Sequence, residues 1–231
     1  MDIFNKAVQS SMQRGSTEIS ARTIGEAWIK IASRILSEGV AHSYDGRAIR
    51  EILRATLTVS EPHSNDGIIS QYANEERLAW MHANFTDFQN VSELGGADSY
   101  ATRLRNYEKS GRNQINWVIE KLRGDMASRS ATITTFQPLS DTSYIPCVSL
   151  LDFFIVDDAV ELVVYAHSID FGTKGYANLV ELAYLQEEVA HVLSLPLGTL
   201  MMVVKSAHVY GEDLKSMERV IRSETTFEYQ M

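Results

Sequence analysis

The sequence predicts an α+β fold, a mixed and mostly antiparallel sheet covered by helices. Three observations carry that expectation. Helix-like and strand-like segments mix without a regular βαβ rhythm, which argues against a doubly wound sheet. The apolar run 150–156 turns at Asp157-Asp158 and returns through 160–165, as an antiparallel hairpin does. Segment 177–195 carries Leu179, Val180, Leu182, Ala183, Leu185, Val189 and Ala190, too many apolar positions for one narrow stripe, so this helix is largely buried.

The elements follow in order. Thr23-Ile24-Gly25-Glu26 is a capping box, whose hydroxyl and carboxylate satisfy the free NH groups of a helix start. Ile24, Ala27, Trp28, Ile31, Ala32, Ile35 and Leu36 then recur at three- and four-residue spacing, with Gly39 as the stop. Segment 49–61 reads as a strand, rich in β-branched residues at 55–59 and ended by Pro62. A loop follows over 63–67, then a helix containing 74–81, then a flexible or tightly turned stretch marked by Gly95-Gly96. Tyr100 to Arg105 precedes a helix whose face is Ile115, Val118, Ile119 and Leu122. Alternation at 131–136 predicts a strand before the hairpin. After the buried helix, 198–205 reads as a buried strand running on into Ser206 to Tyr210, and a short polar helix over 212–222 closes the chain.

With 231 residues, 45% hydrophobic and 22% charged, the chain suits one domain over 1–231, its first 20 residues being disordered or a peripheral arm. The formal charge of −9 and pI near 5.2 argue against nucleic acid polymers and anionic membranes, so an anionic ligand must be met by a local cationic cluster. Cys147 is the single cysteine, which excludes an intramolecular disulfide and a cysteine-rich zinc site. His42, His63, His82 and His191 have no partner at metal-ligand spacing, so no metal is expected. The polar N-terminal stretch and the lack of long apolar runs point to a reducing, cytoplasmic setting.

Chemistry concentrates at 145–178, where Pro146-Cys147 opens the hairpin and the return strand delivers His167-Ser168-Ile169-Asp170. A glycine-bearing loop then leads to Asn178 at the threshold of the buried helix, so a thiol, an imidazole, a carboxylate and an amide gather near one sheet edge. Each has a plain alternative: a lone cysteine as a small buried hydrophobe, Asn178 as a helix N-cap, His208 and Tyr210 as an amphipathic strand end.

The ordered set Tyr100, Ser128-Arg129, Pro146-Cys147, Ser168-x-Asp170, Asn178 and His208-x-Tyr210 resembles the thymidylate synthase family over the last two thirds of the chain. The resemblance implies that family's fold, with sheets packed back to back in a homodimer. It implies transfer of a one-carbon unit to C5 of a uracil nucleotide, from 5,10-methylenetetrahydrofolate or a related reduced pterin. Cys147 then matches the nucleophile that adds at C6, Tyr100 a tyrosine that assists proton loss at C5, and Asp170 the carboxylate that orders water near base and cofactor. Asn178 matches the amide that reads N3 and O4, His208 and Tyr210 the pair that binds the 3′ hydroxyl, and Ser168 a phosphate contact. Arg129 matches an arginine given to the neighbouring subunit's phosphate site.

Two departures stand out. The family's two consecutive arginines are here Arg129-Ser130, and the arginine before the serine is His167, which lacks a permanent charge and a bidentate fork. Arg47, Arg50 or another arginine is expected to compensate, unless the substrate is not an ordinary deoxynucleoside monophosphate. Glu75 and Glu76 lie in the region of the family's catalytic glutamate, and the stretch after Tyr210 is short beside the extension that closes over folate in many members. Two further readings stay open: a hydroxymethylase that captures water instead of hydride, and a dimeric nucleotide-binding protein without catalysis.

Overall fold

Thr23 caps the first helix as the hydroxyl half of the capping box requires, while the Glu26 carboxylate reaches one residue further back. In the computed structural model, which describes residues 15–142 and 144–228, the Thr23 hydroxyl accepts from the Glu26 NH at 3.3 Å. The Glu26 carboxylate accepts in turn from the Arg22 NH at 2.9 Å. Helix α1 (Ile24–Glu38) buries Ile24, Trp28, Ile31 and Ile35, and lies against strands β3 (Arg47–Val59) and β10 (Leu197–Tyr210). Burying each such side chain contributes about 1.5–3 kcal/mol.

Strands β1 (Thr17–Ala21), β6 (Ala131–Thr134), β7 (Val148–Val156) and β8 (Ala159–Ala166) complete the main path of one sheet, in the order β1-β3-β10-β8-β7-β6. Strands β2 (Val40–Tyr44) and β9 (Ile169–Asp170) add to β3 and β10. The pairs β3/β10, β2/β3, β6/β7 and β7/β8 are antiparallel, while β1/β3, β10/β8 and β10/β9 are parallel. The α+β reading with a mixed, mostly antiparallel sheet therefore holds. The β7–β8 hairpin closes on Asp157 and Asp158, both left-handed (φ 49° and 60°), the conformation of a two-residue turn matched to strand twist.

Helix α6 (Gly175–Leu193) buries residues all round, packs on β8 and β10, and is joined by α5 (Gln114–Gly124). Several boundaries differ from expectation. The helix around 74–81 is two, α2 (Gly67–Tyr72) and α3 (Glu75–Thr86), because Asp66 and Asn74 each cap a start. Short strands β4 (Asn90–Val91) and β5 (Ala97–Asp98) flank the left-handed Gly95 and Gly96. Tyr100–Arg105 is itself a helix, α4, capped by Ser99. The closing helix α7 runs Leu214–Glu228, longer than predicted. Of the N-terminal arm, 17–20 belong to edge strand β1, and 1–14 lie outside the described residues. No helix among the described residues is long and apolar enough to cross a membrane.

Candidate active site

Where β7 begins and β8, β9 and β10 end, the sheet opens into a cleft of about 1080 Å³ roofed by α3 and α4. Eight of the nine predicted site residues line it: Tyr100, Cys147, His167, Ser168, Asp170, Asn178, His208 and Tyr210. Arg129 does not; it is exposed on the loop between α5 and β6.

Cys147 immediately precedes β7. Its carbonyl accepts from the His167 NH at 3.0 Å, which ties the start of β7 to the end of β8. Tyr100 lies beneath, its hydroxyl accepting from the Val148 NH at 3.0 Å and its ring stacked on Phe85 at 4.5 Å. Burial, then the neighbouring Cys147, pushes the Tyr100 phenol well above its ordinary range, so it keeps its proton. Burial also pushes the Cys147 thiol up; Lys174 favours the thiolate, while Asp170 opposes it. At neutral pH the free protein therefore carries mainly the thiol.

The stretch from Asp170 to Asn178 is organised from within. The Asp170 carboxylate accepts from the Gly172 NH at 2.9 Å and the Thr173 hydroxyl at 2.6 Å, and its carbonyl from the Lys174 NH at 3.1 Å. The Trp28 indole donates to the Phe171 carbonyl at 2.9 Å. Gly175 sits against the Phe171 ring, where a Cβ would meet Cδ1 at 2.5 Å. Asn178 is not the N-cap of α6, since Lys174 holds that position. One turn in, its side-chain NH2 donates to the Lys174 carbonyl at 3.0 Å, and its Oδ1 is buried without a partner. An unsatisfied buried acceptor costs about 1–3 kcal/mol, which a ligand NH at that point removes.

The other end of the cleft is built on β10. His208 and Tyr210 project to the same side, their rings edge to face at 5.1 Å. The Arg47 guanidinium lies 3.4 Å over the Tyr210 ring and pairs with Glu212. Glu51 stands opposite His208 across β3 and β10, accepts from the Ser206 hydroxyl and bonds His42 Nε2 at 2.8 Å. Burial pulls the His208 pKa below its ordinary value against the opposing charges of Asp170 and Glu51, and its Nδ1 is buried and unpaired.

His167 follows β8, also with a buried, unpaired Nδ1. Burial first, then the Lys205 charge, lowers its pKa, so it is neutral at physiological pH. Arg47 lines the cleft as expected, whereas Arg50 bonds the Leu36 carbonyl and does not. Glu75 and Glu76 are exposed in the first turn of α3 and do not line the cleft. Tyr144, Lys174, Lys205, Arg77 and Trp80 do, and sequence reasoning missed them. Only Lys174 carried a signal, its place beside Gly175 in the loop before Asn178. No cluster of three or more His, Cys, Asp or Glu able to hold a metal occurs among the described residues.

A family model described as thymidylate synthase matches residues 61–230. The chain belongs to the thymidylate synthase family. It is 34% identical to a "Putative thymidylate synthase" of Methanococcoides burtonii, over 88% of this chain and 94% of that protein. It is 35% identical to one so named from Methanosarcina acetivorans, over 88% and 94%. It is also 25% identical to a "Bifunctional dihydrofolate reductase-thymidylate synthase" of Zea mays, over 82% of this chain and 33% of that one. The family match spans every cleft element from α3 to β10, while Arg47 and Glu51 lie ahead of it.

Proposed function

We propose that the protein transfers a one-carbon unit to C5 of a uracil nucleotide through a covalent Cys147 adduct. The observation that carries this reading is the buried, unpaired Asn178 Oδ1 in the same cleft as the only thiol of the chain. An acceptor so placed matches the N3–H of uracil, with the remaining amide hydrogen available to O4. His208 and Tyr210 then meet the sugar hydroxyl, and Ser168 with His167 the phosphate.

Cys147 gives its proton to solvent, and the sulfur adds at C6 while the C5–C6 π pair shifts toward C5 and O4. Asn178 holds the ring as charge builds on O4. Once C5 has bonded the one-carbon unit, Tyr100, protonated and beside the sulfur, orients the water that removes the C5 proton; after reduction of the transferred carbon, re-formation of the C5–C6 double bond expels the thiolate. The cleft exceeds the 300–1,000 Å³ typical of small-molecule sites, and Trp80, Met81, Leu94 and Ile145 give it an apolar wall that fits a pterin. When bound, a methylene-bearing reduced folate supplies the carbon and the reducing hydride. Asp170, its oxygens already engaged by Gly172 and Thr173, acts chiefly by fixing the loop that presents Lys174 and Asn178.

We further propose a homodimer formed by the sheet face turned away from α1 and α6. On it Leu150 and Tyr165 pair directly across β7 and β8, 38% and 41% exposed. Arg129 then serves the neighbouring subunit's phosphate site. Incubation with labelled methylene donor and a panel of uracil and cytosine nucleotides tests the reaction. Label at C5 of a uracil monophosphate supports it; binding without transfer to any nucleotide overturns it.

A further inference from the structure

The groups around Cys147 come from six places in the cleft. They are Tyr100 of α4, Tyr144 ahead of β7, Asp170 of β9, Lys174 at the cap of α6, Tyr210 of β10, and His167, whose backbone NH bonds the Cys147 carbonyl. Asp170 disfavours a negative sulfur, His167 is neutral at physiological pH, and Tyr100, which accepts from the Val148 NH, keeps its own hydrogen for the water near C5. Among the described residues, Lys174 is the cation of the cleft whose charge bears on the thiol, and Tyr144, three residues ahead of Cys147, lines the same cleft.

Both groups are held for the purpose. Lys174 is fixed at its backbone by the Asp170 carbonyl, is followed by the glycine that Phe171 demands, and has its ammonium 5.6 Å over the Trp80 ring on the cleft wall. Tyr144 is two residues before Pro146, and its phenol is pushed far up by burial, so it is a donor at every working pH. We infer that Lys174, as the cation, and Tyr144, as the hydrogen-bond donor, together stabilise the Cys147 thiolate and so set its readiness to attack. As the donor to the reacting sulfur, Tyr144 is a catalytic residue under this inference; Lys174 acts through the field and is a positioning residue. Charge and a hydrogen bond to the anionic form both oppose the burial that favours the thiol.

This inference rests on reading Cys147 as the nucleophile, and its test needs no substrate. Because Cys147 is the only cysteine, alkylation of the intact chain by iodoacetamide reports on it alone. The thiolate displaces iodide, a C–S bond replacing C–I, so the rate follows thiolate content across pH. Lys174→Met is expected to raise the midpoint by about one unit, and Tyr144→Phe to raise it in the same direction. Since the more basic thiolate is also more nucleophilic, the rate at pH 8 should fall only about threefold in Lys174→Met. Lys174→Arg, which keeps the charge, should stay near the wild-type profile. Wild-type profiles in both Lys174→Met and Tyr144→Phe overturn the inference, as does Lys174→Arg shifting as far as Lys174→Met. If the midpoint shifts as expected but no nucleotide is turned over, the proposed reaction falls and the inference stands. If turnover proceeds while the midpoints do not move, the reverse holds.

Discussion

The Tyr100 hydroxyl accepts a 3.0 Å hydrogen bond from the Val148 NH, and Val148 is the residue that follows Cys147. A side chain of α4 thus sets where β7 begins and where the thiol stands. Tyr100→Phe leaves that buried NH without a partner. Urea denaturation should show a loss of about 1–3 kcal/mol. Unchanged stability would mean the bond contributes nothing to holding the thiol.

Asn178→Asp changes what the cleft reads. A protonated carboxyl donates where the amide accepted, so the variant should lose at least about tenfold in affinity for a uracil monophosphate and gain for the cytosine analogue. Calorimetric titration of both ligands checks it; equal losses for the two would mean that Asn178 does not face the base.

Gly175→Ala places a methyl group against the Phe171 ring, with a Cβ contact of 2.5 Å that the loop relieves only by moving. Overpacking of this kind costs about 1–3 kcal/mol, and here it also displaces Lys174 and Asn178. Thermal unfolding and turnover should fall together. Loss of stability with full activity would show that the loop does not position the site.

His167 and His208 both have pKa values pulled below the ordinary one, chiefly by burial. The unfolded chain therefore binds protons that the fold resists, and stability should fall as pH drops from about 7 through 6.5 toward the depressed values. His167→Gln should flatten that slope. Monophosphate bound at His167 favours its charged form, so affinity should rise from pH 8 to pH 6 beyond what phosphate ionisation alone gives. The glutamine variant supplies that baseline. Identical binding profiles in wild type and His167→Gln would remove His167 from the phosphate site.

The proposed dimer predicts that Tyr165→Glu, on the outer sheet face, yields monomers in sedimentation, since such a family interface buries more than about 2,000 Å². A wild-type chain that sediments as a stable monomer at micromolar concentration contradicts it.

What was legible in the sequence was local. Two adjacent aspartates marked the hairpin turn, and Thr23 with Glu26 marked the start of α1, because those signals act within a few residues. Edge strand β1 was missed because five residues with only Ile19 and Ala21 as apolar inward positions read as a polar arm until β3 lies beside them. Asn178 was open between base reader and N-cap, and the one-turn shift of the start of α6 decides against the cap. Glu51 opposite His208 is a matter of register between strands far apart in the chain. Lys174 acts on the thiol through the folded loop, which no spacing in the sequence displays.

The most direct test of covalent attack by Cys147 is the intact mass of the protein after incubation with 5-fluoro-2′-deoxyuridine monophosphate and the methylene donor. The fluorine cannot leave C5 as a proton does, so the adduct persists. Wild type should gain the mass of nucleotide plus donor, and Cys147→Ser should gain none while still binding the nucleotide. An unmodified wild-type mass at saturating ligand, or equal modification of the serine variant, contradicts the account.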